Sequence, residues 1–178
     1  MTTRLRDERG TTIIEVIIAS AILVTLMAGL MSLGGLAIST TENQGHLAAR
    51  TTEYAQDKME QLLALAYGDS TSDTRSFPAL SSGGSGLAVG GSSDTNSPVA
   101  LYVDYLDENG NLCGSAGAAC VAPVGVTPPA NWFYQRCWQV ALVSTNLKQI
   151  TVTATISRGF GGAMKASSTL SVLKSNPF

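Results

Sequence analysis

The chain has 178 residues, of which 13% are charged, and a formal net charge of −2 at pH 7. This length fits one ordinary domain with an appendage and is short for two full domains. No cluster of Lys and Arg marks a surface for nucleic acid, so no nucleic-acid partner is predicted. Low charge with abundant Gly, Ser and Thr is typical of secreted or surface proteins.

An apolar run follows a short charged head at the N-terminus. The head, residues 1–10, carries three Arg against one Asp and one Glu, and no residue from Val16 to Ile38 is charged. A helix over this run would measure about 35 Å at about 1.5 Å per residue, and the hydrocarbon core of a membrane is about 30 Å thick. The sequence therefore predicts one membrane-spanning helix with its N-terminus in the cytoplasm.

Two simpler interpretations of this run, a secretory signal peptide and a signal anchor, do not explain Glu15. A secretory signal peptide has an apolar region of about 7 to 15 residues before a small-residue cleavage site, and this run is longer. An ordinary signal anchor fits the length. However, a carboxylate near the membrane interior costs about 2.5 to 3.5 kcal/mol on insertion scales. We therefore expect Glu15 to have a partner.

Together these residues resemble the class III signal of type IV prepilins and type II secretion pseudopilins. The matching features are a charged leader ending in Gly10, then Thr11, Thr12, two aliphatic residues, Glu15 and a long apolar helix. In that family a prepilin peptidase cuts on the cytoplasmic side after the Gly and methylates the new N-terminus. The resemblance implies cleavage between Gly10 and Thr11 and N-methylation of Thr11, where the family usually has Phe.

The resemblance also implies that Glu15 acts in assembly. Cleavage would create an α-ammonium group on Thr11, which the Glu15 carboxylate of a neighbouring subunit would bind when helices pack into a filament core. Buried ion pairs contribute more to specificity than to net stability, so we expect Glu15 to set the register of incoming subunits. The glycines of the run, Gly29, Gly34 and Gly35, either favour close helix packing or let the helix melt in the filament.

After residue 39 the helix becomes amphipathic. An apolar stripe recurs at steps of three and four, and charged residues occupy mostly the other faces, so residues 42–67 are predicted to pack on a sheet. The helix is predicted to end at Gly68, in a left-handed conformation. The stripe comprises Leu47, Thr51, Tyr54, Ala55, Met59, Leu62 and Ala66. Residues 55–69, AQDKMEQLLALAYGD, also resemble the end of this helix in the PilV and GspI branch of minor pilins.

A variable loop and a sheet complete the predicted organisation. Residues 68–98 are rich in Ser and Gly and correspond to the surface αβ loop of pilins. Residues 99–174 alternate with a period of two in VALYVDYL, WFYQRCWQVALVS, KQITVTATIS and KASSTLSVLK, with a turn at DENGN, and predict an antiparallel meander. Tyr134, Arg136, Trp138, Val140 and Leu142 are predicted on one face, which places Arg136 at its margin unless that face assignment is wrong.

The expected fold class is therefore α+β, the type IV pilin fold that the resemblance implies. A long N-terminal helix, first transmembrane and then amphipathic, packs on a C-terminal antiparallel sheet. The expected division is a leader over 1–10, a transmembrane and filament-core helix over 11–39, and a periplasmic or extracellular head group over 40–178.

The three cysteines predict a disulfide. Cys113 and Cys120 flank six small residues that let their Cα atoms approach, so this bridge is favoured, with Cys120 to Cys137 as the next candidate and three reduced thiols as the last. No paired C-x-x-C spacing indicates zinc. Calcium at Asp104, Asp107 and Asn109 is an alternative that lacks the dense ligand spacing of a calcium loop. No metal or other cofactor is predicted.

No enzyme signature accompanies these features, and His46, the one histidine, falls on the amphipathic helix. We expect a minor pilin-like subunit of a pilus or pseudopilus, first in the inner membrane and then in the periplasm or at the cell surface. Its expected partners are other pilin subunits, the prepilin peptidase and the inner-membrane assembly machinery. A major pilin and a membrane-anchored binding domain that never polymerises remain the alternatives.

Overall fold

The computed structural model describes residues 12–157 and 165–176. One long helix, α1, spans Ile13–Ala64 and precedes five strands. The chain divides into two compact units between residues 42 and 43, within α1. In the first unit the described residues are helical from Ile13 onward, as the uninterrupted apolar run predicts.

The second unit contains the rest of α1 and an antiparallel sheet. Its strands are β1 (Gly90–Gly91), β2 (Val103–Leu106), β3 (Tyr134–Ser144), β4 (Leu147–Ile156) and β5 (Ser167–Ser175). The strand order is β1-β3-β4-β5, and β2 pairs with β3 farther along the edge that β1 also uses. This architecture confirms the predicted α+β fold class.

The inner face of the sheet packs on α1. Alternating residues of β3 and β4 meet the apolar stripe of the helix in one core, which includes Tyr54, Met59, Trp138, Ile150 and Val152. The predicted stripe is correct from Thr51 to Leu62, but Ala66 is exposed. Leu142, also predicted inside, is 55% exposed beside the bulge at the end of β3.

Two predicted boundaries differ from the structure. The helix ends at Ala64 instead of residue 67, and Gly68 does not adopt the positive φ of a left-handed cap. The helix end has another partner, because Lys174 of β5 donates hydrogen bonds to Leu63 O in the last turn and to Leu65 O just after it. Lys174 of the sheet therefore binds the carbonyls of the helix end, where the sequence predicted a cap at Gly68.

The segment 68–98 is more than a surface loop. It contributes β1 to the sheet, and its Leu87 is fully buried in the inner core. The strand predicted from residue 99 begins only at Val103, because Leu101 has a φ of 70° and Tyr102 N–H closes a turn on Val99 O. The sheet thus extends from Gly90 to Ser175, beyond the predicted 99–174 at both ends.

A second, smaller core covers the outer face of β2 and β3. Val103, Tyr105 and Cys137 point away from α1 and pack with Cys113 and Cys120. Trp132 and Ala118 lie against this outer core. The sheet is therefore buried on both faces over β2 and the first half of β3, which accounts for the unbroken burial of Tyr134 to Trp138.

Candidate functional site

The first candidate site is the apolar part of α1. From Ile13 to Ile38 the large apolar side chains are all exposed, by 53% at Met27 to 81% at Ile13, and none of the most apolar stretch is buried. Exposed apolar area on this scale is unfavourable in water at about 25 cal/mol per Å². By length and composition this helix could cross a membrane.

The polar side chains of this segment suit an apolar environment. Ser20, Thr25 and Ser32 each donate a hydrogen bond to a carbonyl three or four residues earlier in the helix. These hydroxyl groups are therefore satisfied without water, which a hydrocarbon environment requires. The three glycines Gly29, Gly34 and Gly35 have open space where a Cβ would be, so nothing within the chain requires them to be glycine.

Glu15 differs from these hydroxyl residues. It lies in the first turn of α1 and is exposed, and among the described residues its carboxylate has no hydrogen-bond or ion-pair partner. Gly10 and Thr11, the predicted cleavage and methylation positions, lie outside the described residues. The structure therefore locates only one of the three predicted assembly residues.

The second candidate site is a buried ion cluster on the inner face of the sheet. The Nζ atom of Lys58 lies 2.6 Å from Asp104 Oδ2 and 4.5 Å from the centre of the Trp138 ring. It also donates hydrogen bonds of 2.5 Å to Thr74 O and 2.7 Å to Gln61 Oε1. Lys58 joins the helix, the 68–98 segment and β2, and its side chain is fully buried.

Arg136 completes this cluster and corrects the prediction that it lies at the margin of the inner face. Its side chain is only 5% exposed, and it binds both oxygens of Asp104, at 2.7 and 2.9 Å. The third nitrogen, Nη1, lies 3.0 Å from Asp57 Oδ2, and the Asp57 side chain is 64% exposed. Asp104 and Arg136 are direct cross-strand partners of β2 and β3, so the register of the sheet positions the pair.

The electrostatics of the cluster follow from burial. Burial lowers the pKa of Lys58 to about 8, although the neighbouring Asp104 charge opposes the shift. Burial pushes the pKa of Asp104 upward, but the charges of Arg136 and Lys58 outweigh it and hold the pKa below its usual value. Lys58 is sealed from solvent, and through it the cluster joins three elements: α1, the 68–98 segment and β2.

The disulfide is the third feature, and its predicted pairing is confirmed. Cys113 and Cys120 are bonded, with Cα atoms 4.9 Å apart, and Cys137 is a buried free thiol. Burial raises the pKa of Cys137 to about 12, which keeps it protonated and unreactive. The disulfide is typical of an oxidising compartment.

Asp104 and Asp107, two of the three alternative calcium ligands Asp104, Asp107 and Asn109, are engaged in other contacts. Asp104 belongs to the ion cluster. The Asp107 carboxylate accepts hydrogen bonds from the backbone N–H groups of Asn109, Asn111 and Ala119, at 2.8 to 3.0 Å. It therefore organises the turn after β2 and the disulfide loop. Within residues 12–157 and 165–176, no group of three His, Cys, Asp or Glu side chains could hold a metal ion.

Sequence reasoning missed Lys58 as part of the core. One signal was available, because Lys58 follows Tyr54 by four residues and precedes Leu62 by four, so it lies within the apolar stripe. His46 is exposed on α1, as predicted. Comparisons of the chain with protein-family models, curated proteins and solved structures find no match.

Proposed function

We propose that the chain is a minor type IV pilin-like subunit that assembles into a pilus or a pseudopilus. The observation that carries the proposal is the apolar part of α1, whose side chains are uncovered from Ile13 to Ile38 in a helix that continues into a folded head group. We expect this helix to occupy two apolar environments in succession. It lies in the inner membrane before assembly and among neighbouring helices afterwards.

Glu15 makes assembly a better account than simple anchoring. A lone exposed carboxylate in the first turn of a membrane helix is costly and has no partner among the described residues. In the proposed filament, prepilin peptidase removes residues 1–10 and leaves a methylated ammonium group on Thr11. Glu15 of an adjacent subunit pairs with this group, so the carboxylate is compensated only when the subunits have the correct stagger.

The head group has a structural part in this proposal and no catalytic one. Its disulfide and its buried ion cluster stabilise a domain that works outside the cytoplasm. The inner-membrane assembly machinery would lift the subunit from the membrane, so that the head group passes from the periplasm to the filament surface. The apolar helix supplies the binding surface for other pilin subunits.

Substitution of Glu15 tests the proposal in cells that produce the filament. Glu15→Ala should leave membrane insertion intact or improved, because it removes a desolvation cost, and should lower incorporation into sheared filaments at least about tenfold. The matched control is Ser20→Ala. It removes an exposed hydroxyl group from the same helix, and that hydroxyl donates its hydrogen bonds to backbone carbonyls of α1. Equal incorporation of the Glu15→Ala and Ser20→Ala subunits would contradict the assembly role.

A further inference from the structure

Two cavities of the second unit have Trp132 in their walls. One has a volume of about 340 Å³, and its walls include Asn96, Tyr105, Trp132, Gln135 and Thr155. We call this one the Trp132 cavity. A neighbouring cavity of about 650 Å³ also has Trp132 in its wall, with Glu108, Asn131 and Ser157. Small-molecule sites typically have such volumes and combine aromatic walls with a few polar groups.

Trp132 presents an aromatic surface in a fixed position. The ring packs edge-to-face on Tyr105, with centroids 5.3 Å apart, and Tyr105 is itself held by a hydrogen bond from its hydroxyl to Val126 O. Trp132 is only partly buried, and its indole N–H has no acceptor among the described residues. Packing therefore holds the ring in place while leaving part of it accessible from the cavities.

Gln135 supplies a polar group at the wall of the Trp132 cavity. The residue is 5% exposed, and its Nε2 donates hydrogen bonds to Thr95 O at 3.2 Å and to Cys137 Sγ at 3.4 Å. Its Oε1 accepts no hydrogen bond within the described residues, and it is not among the fully enclosed unpaired atoms, which are Thr74 Oγ1 and Trp138 Nε1. Gln135 thus places a positioned acceptor in the wall of the Trp132 cavity.

We propose that the Trp132 cavity binds a neutral hexose ring of a saccharide. The C–H face of a pyranose can pack on the Trp132 ring, and its hydroxyl groups can donate to Gln135 Oε1 and exchange hydrogen bonds with Asn96 and Thr155. Among the described residues of its wall none is Asp or Glu, and Lys165 is the charged one. This inference concerns the head group and does not depend on the assembly role.

The test uses the full chain in a zwitterionic detergent, because sugar-headed detergents would compete for the cavity. The probes are methyl glycosides of glucose, galactose, mannose and N-acetylglucosamine, and the corresponding β-linked trisaccharides, each up to 20 mM. At least one probe should shift the indole N–H resonance of Trp132 in a saturable way and leave that of the buried Trp138 unchanged. This measurement needs no substitution, so it decides the proposal even if a variant fails to fold.

Variants then locate the contact. Trp132→Ala and Gln135→Leu should each weaken binding of the same probe at least about tenfold, since one removes the aromatic wall and the other the acceptor. Phe77→Ala is the matched control, because Phe77 is an aromatic residue that is 78% exposed and lies outside the walls of both cavities. Its binding should equal that of the unmodified chain. Absence of a saturable Trp132 shift with every probe, or equal weakening by Phe77→Ala, would overturn the proposal.

Discussion

Lys58 introduces a positive charge into the inner core, and its neighbours explain why the fold tolerates this. Two buried cations, Lys58 and Arg136, share the carboxylate of Asp104, while Asp57 compensates Arg136 from the surface. Removing a cation from water costs several kcal/mol, and the pairing offsets part of that cost. Burial lowers the pKa of Lys58, and the charge of Asp104 opposes this shift.

The first prediction concerns the pH dependence of stability. The pKa of Lys58 falls from 10.5 to about 8 on folding, so between these values the unfolded chain binds more protons than the folded one. Stability from this residue should therefore rise as pH increases through that window, by about 3 kcal/mol between pH 7 and pH 10.5. The measurement is the free energy of unfolding of the full chain in detergent.

Lys58→Met is the comparison that isolates this effect. Tyrosines and Cys137 also titrate at high pH. They do so in both proteins, so their contributions cancel when the two free energies of unfolding are subtracted. Asp104 keeps both of its hydrogen bonds from Arg136 in the variant, so the remaining carboxylate is not left unpaired. The unmodified chain should gain stability relative to Lys58→Met as pH rises. Parallel stability curves would show that Lys58 is not the titrating group.

At the scale of elements, the turn after β2 connects the two cores. Its backbone is held by the Asp107 carboxylate, and Gly110 at its end has a φ of 87°. A Cβ built on Gly110 would lie 2.3 Å from the hydroxyl oxygen of Tyr54, which packs edge-to-face on Tyr134 in the inner core. Glycine is therefore required here both by backbone conformation and by close approach to α1.

The second prediction separates these two requirements by comparing Gly110→Ala with Gly117→Ala. Gly117 has nearly the same φ, 86°, but a Cβ there would meet nothing within 4 Å. Gly117→Ala should cost about 1 kcal/mol from backbone strain alone, and Gly110→Ala about 2 kcal/mol more, because Tyr54 must also move. Thermal unfolding of the two variants measures the difference. Equal losses of stability would mean that Tyr54 does not constrain the turn.

The elements show which parts of the structure local sequence can predict. Periodicity identified the faces of α1, β3 and β4, because each face repeats along its own element and meets one continuous core. It did not identify the burial of Lys58 or the pairing of Asp104 with Arg136, since these depend on contacts between distant segments. The hydrogen bond from Lys174 of β5 to the end of α1 is a third contact between distant segments that periodicity did not identify.

The Trp132 cavity was beyond sequence reasoning for the same cause. Its walls come from the loops near residues 95 and 126 and from strands β2, β3 and β4, and no spacing in the sequence relates them. The Cys113 to Cys120 bridge could be predicted, because only a short run of small residues separates its ends. Local features were thus predictable, and sites formed by several loops were not.

On the scale of the whole molecule, the two compact units present different surfaces. The second unit has a sheet covered on both faces over part of its width and a disulfide that closes one loop. The described part of the first unit exposes large apolar side chains from Ile13 to Ile38. The proposed function links the two, because a membrane and then a filament would cover the helix while the folded head group lies outside the cytoplasm.

Mass spectrometry of the mature N-terminus tests whether the chain is processed as a prepilin. In cells that make the prepilin peptidase, the N-terminal peptide should begin at Thr11 and carry one methyl group on its amine. This peptide should be missing from the Gly10→Leu variant. Thr12→Ala serves as the control, because it alters the same region and leaves Gly10 in place. An N-terminus that retains Met1, a cut at another position, or normal processing of Gly10→Leu would contradict the account.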